Sequence, residues 1–180
     1  TADDAERIAT WIRPAVDHSG AVLDVGGGSG QLAALLAAEL DAHVTVLDPT
    51  PEILAYVPST DRIRAVHGNA EEMPFADSAF DAIVVTDAFH HFRDQDAAAR
   101  EFARVVRPEG LVLVLELDRR PLAMRFVALA ERIAGEPGAF LTPEAMCAFM
   151  AARGLPGQRA PERGATYRFL GVVDKDRPAA

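Results

Sequence analysis

The stretch Val22-Leu23-Asp24-Val25-Gly26-Gly27-Gly28-Ser29-Gly30 constrains this chain more than any other. Apolar residues around one acid fit a buried strand, and four glycines within five positions follow at once. Side chains are therefore missing where a backbone must turn tightly and come close to a ligand. A helix predicted from Gln31 turns its unpaired N–H groups toward the same place. Strand, glycine turn and helix in this order open an α/β fold and point to a nucleotide-like ligand.

Downstream, apolar runs alternate with amphipathic stretches, as in a parallel sheet with helical crossovers. Strands are predicted at residues 21 to 25, 43 to 47, 63 to 66, 81 to 85, 110 to 117 and 166 to 173. Helices are predicted at Gln31 to Leu40, Pro51 to Val57 and Asp94 to Val106, with Phe102, Val105 and Val106 on one face of the last. Arg107-Pro108-Glu109-Gly110 reads as the end of that helix, and Arg104 and Arg107 as its solvated cations. Ala5, Ile8, Ile12 and Val16 recur at helical spacing before the glycine turn, with Pro14 expected to bend that helix. Pro121 to Ala134 reads as a helix. A further one follows Thr142, an N-cap with Pro143 at the first helical position.

The whole chain narrows the choice. With 180 residues, 49% of them hydrophobic, it is expected to form one domain spanning 1–180: a helical cover over 1–20, an insert at 119–150 and a tail at 174–180. A net charge of −9 without a Lys/Arg cluster argues against a nucleic-acid partner. Cys147 stands alone, which rules out an intramolecular disulfide. No apolar run approaches a membrane span, and Thr1-Ala2-Asp3-Asp4 lacks signal-peptide character, so a cytoplasmic location is expected.

Two ligand readings compete at the glycine turn. Gly28, Gly30 and Ala33 can be matched to G-x-G-x-x-G/A with Asp48 as a ribose-binding acid, which leaves an NAD(P)-dependent oxidoreductase open. Asp24, Gly26, Gly28 and Gly30 fit acid-x-G-x-G-x-G, and here the chain resembles the class I S-adenosylmethionine-dependent methyltransferases. The resemblance extends through Val44-Thr45-Val46-Leu47-Asp48, His67-Gly68-Asn69-Ala70-Glu71-Glu72-Met73-Pro74-Phe75, Phe80-Asp81-Ala82-Ile83-Val84-Val85 and Arg104-Val105-Val106-Arg107-Pro108-Glu109-Gly110. It implies a Rossmann-like, doubly wound, seven-stranded and mostly parallel sheet. A late antiparallel hairpin would take its sixth strand from near Pro156 to Ala160.

By the same resemblance, S-adenosylmethionine is the expected cofactor. Asp24, Gly26, Gly27, Gly28, Gly30, Asp48, Pro49, Asn69, Ala70 and Thr86 are its expected contacts. Asp48 would accept from the ribose diol. Asn69 stands where the family usually has an acid facing the adenine amine, and its amide oxygen can accept that bond without a charge.

Methyl transfer from a sulfonium is an in-line displacement in which alignment alone can supply most of the acceleration. A base is needed where the acceptor must lose a proton, and Asp87, His90 and His91 are the candidates after strand four. The two histidines are adjacent, so one should face the site and the other should not. No His, Asp or Glu spacing suggests a metal. Asp87-Ala88-Phe89-His90 departs from the D/N-P-P-Y/F pattern of enzymes acting on planar amide or adenine nitrogens. Trp11, Met124, Phe126 and Phe140 can line an apolar acceptor pocket or pack a helix on the sheet, and Cys147 reads as core. Leu141 to Leu155 followed by Tyr167-Arg168-Phe169-Leu170-Gly171 resembles the ubiquinone and menaquinone C-methyltransferase branch. The expected acceptor is a small aromatic or apolar molecule. A non-catalytic S-adenosylmethionine-binding module is the alternative.

Overall fold

A computed structural model describes residues 1–118 and 139–174. Seven strands form one sheet: β1 (Ala21–Val25), β2 (His43–Asp48), β3 (Ile63–His67), β4 (Phe80–Thr86), β5 (Val106–Leu117), β6 (Gly157–Pro161) and β7 (Thr166–Val172). Their order is β3-β2-β1-β4-β5-β7-β6. The first five are parallel, and β7 runs antiparallel to both β5 and β6. This is the expected doubly wound sheet with its late hairpin. The predicted helix over 121–134, Met124 and Phe126 lie outside the described residues.

Residue alternation along the strands decides which face each side chain joins. Val22, Val44, Val46 and Val84 pack with Ile8, Ile12, Leu36 and Leu40, so α1 (Ala2–Ile12) and α2 (Gln31–Leu40) cover one face. Leu23, Val25, Ile83 and Val85 pack with Phe102 and Met146, which places α4 (Gln95–Val105) and α5 (Pro143–Ala151) on the other. The central strands β1, β2, β4 and β5 are largely apolar on both faces because both are covered, while the edge strands β3 and β6 are mostly exposed. No helix among the described residues is long and apolar enough to cross a membrane.

Local chemistry sets the boundaries. Thr1 and Asp4 close a capping box on α1, and Pro14 falls in a 3-10 turn, Arg13–Ala15, that ends it. Asp94 caps α4 through the Ala97 N–H, and Thr142 caps α5 through Ala145. The helix after β2, α3, is shorter than predicted at Pro51–Leu54.

Arg107-Pro108-Glu109-Gly110 follows the end of α4 as expected, but β5 already begins at Val106 opposite Phe80, earlier than the predicted 110, and bulges before Leu111 pairs with Ala82, with Glu109 at φ +63. One sequence expectation is overturned. Arg104 and Arg107 are structural ties, not solvated cations. Arg104 binds Glu101 at 2.6 Å and donates to the carbonyls of Phe75 at 2.7 Å and Met73 at 3.1 Å. Its hydrogen bonds hold the Glu101 carboxyl below the usual range. Arg107 joins Asp81 at 2.6 Å to the Ala15 carbonyl at 2.8 Å, and Asp81 also accepts from the Ala21 N–H.

Candidate active site

The chain leaves β1 toward β2 on one side, while β4 lies on the other. The C-terminal ends of β1 and β4 therefore flank the point where strand order reverses, the usual place for ligands in open α/β sheets. Gly26 begins the turn there with φ +71. A Cβ at this position would stand 2.7 Å from Ala88 Cβ, so glycine is required both by conformation and by the approach of the loop after β4. The Gly26 N–H donates to Leu47 O at 2.7 Å, fastening the turn to β2.

Asp48 ends β2 and organises the turn further. Its Oδ2 accepts from the Gly28 N–H at 3.1 Å and its Oδ1 from the Thr50 N–H at 2.9 Å. Each carboxylate oxygen has a second lone pair, so Asp48 can hold the loop and still accept from a diol. Gly30, also left-handed, immediately precedes α2.

A cavity of about 280 Å³ opens beside Asp48. Gly26, Asp48, Pro49, Asn69 and Ala70 line one part of it, and Asp87 and His91 another. Glu71 ties the two walls, since its Oε1 accepts from the backbone N–H groups of Arg93 at 2.8 Å and Asp94 at 3.3 Å. Carboxylates of Asp48, Glu71 and Asp87 stand against the single guanidinium of Arg93 in this lining. A pyrophosphate would meet that acidic wall unfavourably; a neutral adenosine carrying a sulfonium would not. The glycine approach, Asp48 and the amide of Asn69 fit S-adenosylmethionine.

The remaining glycine-loop residues act behind this surface. Asp24 is buried beneath Gly27, where a Cβ would lie 2.5 Å from Asp24 Oδ2, and neither of its oxygens has a hydrogen-bond partner. Burial, and secondarily the Asp48 carboxylate, push its carboxyl up to about 7. Asp24, Gly27, Gly28 and Gly30 do not line the cavity; the three glycines belong to the loop that bounds it, and Asp24 lies beneath that loop.

The two histidines divide as their adjacency requires. His91 is exposed at the cavity, whereas His90 is buried on a 3-10 turn, Phe89–His91. His90 Nδ1 lies 2.9 Å from Glu116 Oε1, and the backbone N–H of His90 donates to Glu116 Oε2 at 3.1 Å. Phe140 stacks on the His90 ring at 3.9 Å. Sequence reasoning missed Glu116; its signal was a lone acid inside the apolar run of β5. Asp87, His90 and Glu116 offer ligand atoms within 4.8 Å of one another, the arrangement among the described residues most like a metal set, with His90 Nδ1 bonded to Glu116.

Thr86, the residue before Asp87, faces a second cavity of about 530 Å³ between α1, α2 and the β6–β7 hairpin. Trp11 lines it and also packs against the core under α1, while Phe140 belongs with His90. Cys147, expected in the core, is half-buried against it.

A family model described as a methyltransferase domain matches residues 23–114, just over half of the chain. The ubiquinone/menaquinone biosynthesis C-methyltransferase UbiE of Vibrio campbellii is 35% identical over 125 residues, covering 61% of this chain and 48% of that protein. The chain thus spans about half the length of the curated relatives it matches. The YcgJ protein from Bacillus subtilis superposes with a TM-score of 0.75 at 26% identity, over 88% of this chain and 71% of that one. A SAM-dependent methyltransferase from Aquifex aeolicus shares the fold, with a TM-score of 0.77 at 14% identity over 94% and 89% of the two chains. The chain belongs to the methyltransferase domain family, on a seven-stranded Rossmann-like sheet.

Proposed function

We propose that this protein transfers a methyl group from S-adenosylmethionine to a small aromatic or apolar acceptor. The observation that carries this reading is the convergence of Gly26, Asp48 and Asn69 on one cavity at the strand-order reversal. Asp48 would hold the ribose hydroxyls, Asn69 and Ala70 the adenine edge, and the backbone of the Gly26 turn the methionine end. The cofactor supplies an electrophilic methyl on sulfur. The chain supplies alignment, water exclusion and, for acceptors that lose a proton, a base.

Asp87 and His91 are the cavity-lining groups with the chemistry to take that proton. His90, clamped by Glu116, sets the course of the backbone that carries both. An aromatic ring carbon is the favoured target, since the matched relatives are named as C-methyltransferases of ubiquinone and menaquinone biosynthesis. Isothermal titration with S-adenosylhomocysteine tests the donor half: saturable 1:1 binding is expected, and its absence would sink the reading. NADPH, by contrast, is expected to give no heat of binding.

A further inference from the structure

The second cavity has the size, lining and charge of a binding site in its own right. Its volume of about 530 Å³ falls in the range of roughly 300–1,000 Å³ common for small-molecule sites. Ile8 and Trp11 of α1 form one wall and Leu32 and Leu35 of α2 another, with Leu115 beneath. Trp11 is held in place, with Arg168 4.1 Å and Arg7 5.2 Å from its ring centroid. Such a wall is preorganised for a flat apolar body.

The charges around it do not cancel. Arg7 pairs with Asp4 at 3.2 Å and with Glu162, and Arg168 also reaches Glu162 at 3.6 Å. Those two cations are matched by two carboxylates. Arg163, exposed at the rim, has no acid in ion-pair range among the described residues. In the lining itself Arg7 and Arg163 equal Asp4 and Glu162 in number, but Arg168, beside Trp11, also draws on Glu162, so three arginines around the cavity face two carboxylates. The hydroxyl-bearing Thr86 also lines this cavity, and its neighbour in sequence, Asp87, lines the other one.

We propose that this second cavity is the acceptor site and that it takes a planar aromatic molecule bearing one anionic group. The ring lies between α1 and α2, the anion faces Arg163, and the edge to be methylated points to Thr86 and the donor cavity. This inference rests on the methyltransferase reading, and it adds the location and chemical class of the acceptor.

Trp11 is the only tryptophan of the chain, so its emission reports this cavity alone. The test titrates the full chain with 4-nitrobenzoate and with neutral 4-nitrobenzamide, two quenchers of the same shape, after correction for inner-filter absorption. Saturable quenching is expected from both, at least fivefold tighter for the carboxylate. Arg163→Glu should abolish that preference while leaving the amide unchanged, and Leu35→Arg should abolish saturation with either probe. Calorimetric S-adenosylhomocysteine binding, retained in both variants, certifies that they are folded. Linear, non-saturating quenching of the parent chain overturns the site, and equal affinity for the two probes overturns the anionic class. If S-adenosylhomocysteine binds while the quenching stays linear, the donor reading stands and this inference falls. If the quenching saturates but S-adenosylhomocysteine does not bind, the cavity is a ligand site and its role as methyl acceptor site falls.

Discussion

Asp24 near the end of β1 and Asp48 at the end of β2 lie on neighbouring strands, yet their environments are opposite. Asp48 accepts two backbone N–H groups and borders the cavity, so Asp48→Ala removes its bonds to the loop and, on the proposed reading, to the ligand. S-adenosylhomocysteine affinity is expected to fall by about 1.5 to 3 kcal/mol, the scale of a hydrogen bond to a charged group, roughly 10- to 150-fold by calorimetry. Asp24 is sealed in without a partner, and its carboxyl is raised to about 7 by burial and then by Asp48. Between about pH 4, where an unfolded Asp titrates, and about pH 7 the folded chain keeps a proton that the unfolded chain has lost. Asp24 therefore makes the fold less stable as pH rises through that window, by on the order of 4 kcal/mol in total. Asp24→Asn should gain stability relative to the parent as pH goes from 4 to 8 in urea unfolding, and a pH-independent difference would refute this assignment. Sequence alone pointed to both acids, because acid-x-G-x-G-x-G includes one and the end of β2 supplies the other. It did not reveal that one is sealed beneath the loop and the other borders the cavity, since that depends on which face of β1 the loop folds over.

Among the elements, the ties that matter most are side chain to backbone. Arg104 binds Glu101 and Asp77 and two carbonyls of the segment after β3, and so fixes that segment, which continues from Asn69 and Ala70, against α4. The guanidinium is about one-third exposed, which tempers its contribution. Arg104→Ala is expected to destabilise the chain by about 1 to 3 kcal/mol, read as a lower urea midpoint with unchanged slope, and Arg104→Lys to recover only part of this. Strand and helix order were legible from apolar periodicity because both faces of the sheet's centre are covered and β1, β2, β4 and β5 are correspondingly apolar, whereas the edge strand β6, Gly157–Pro161, is polar and exposed. The role of Arg104 was not legible, because its partners at Met73, Phe75 and Asp77 are distant in sequence and two of them are backbone carbonyls. Glu116 was hidden for a related reason: its meaning comes from His90, which reaches it only once β4 and β5 are paired.

For the whole molecule, occupancy of the donor cavity should register as global stability. Ligand at a hundred times its dissociation constant stabilises a fold by about 2.7 kcal/mol, which for a chain of this size raises the melting temperature by roughly 5 to 10 °C. That shift is expected with S-adenosylhomocysteine and not with NADPH in differential scanning calorimetry. The sheet makes the effect global, because the cavity draws on residues from β1 and β2, the loop after β3 and the turn after β4. Gly26 and Ala88 meet within this arrangement, with room for no further carbon between them. The turn proposed to receive the donor and the turn that bears Asp87 and His91 are thus in direct contact. On the proposed reading, donor loading and the aim of those two groups would form a single coordinate of motion.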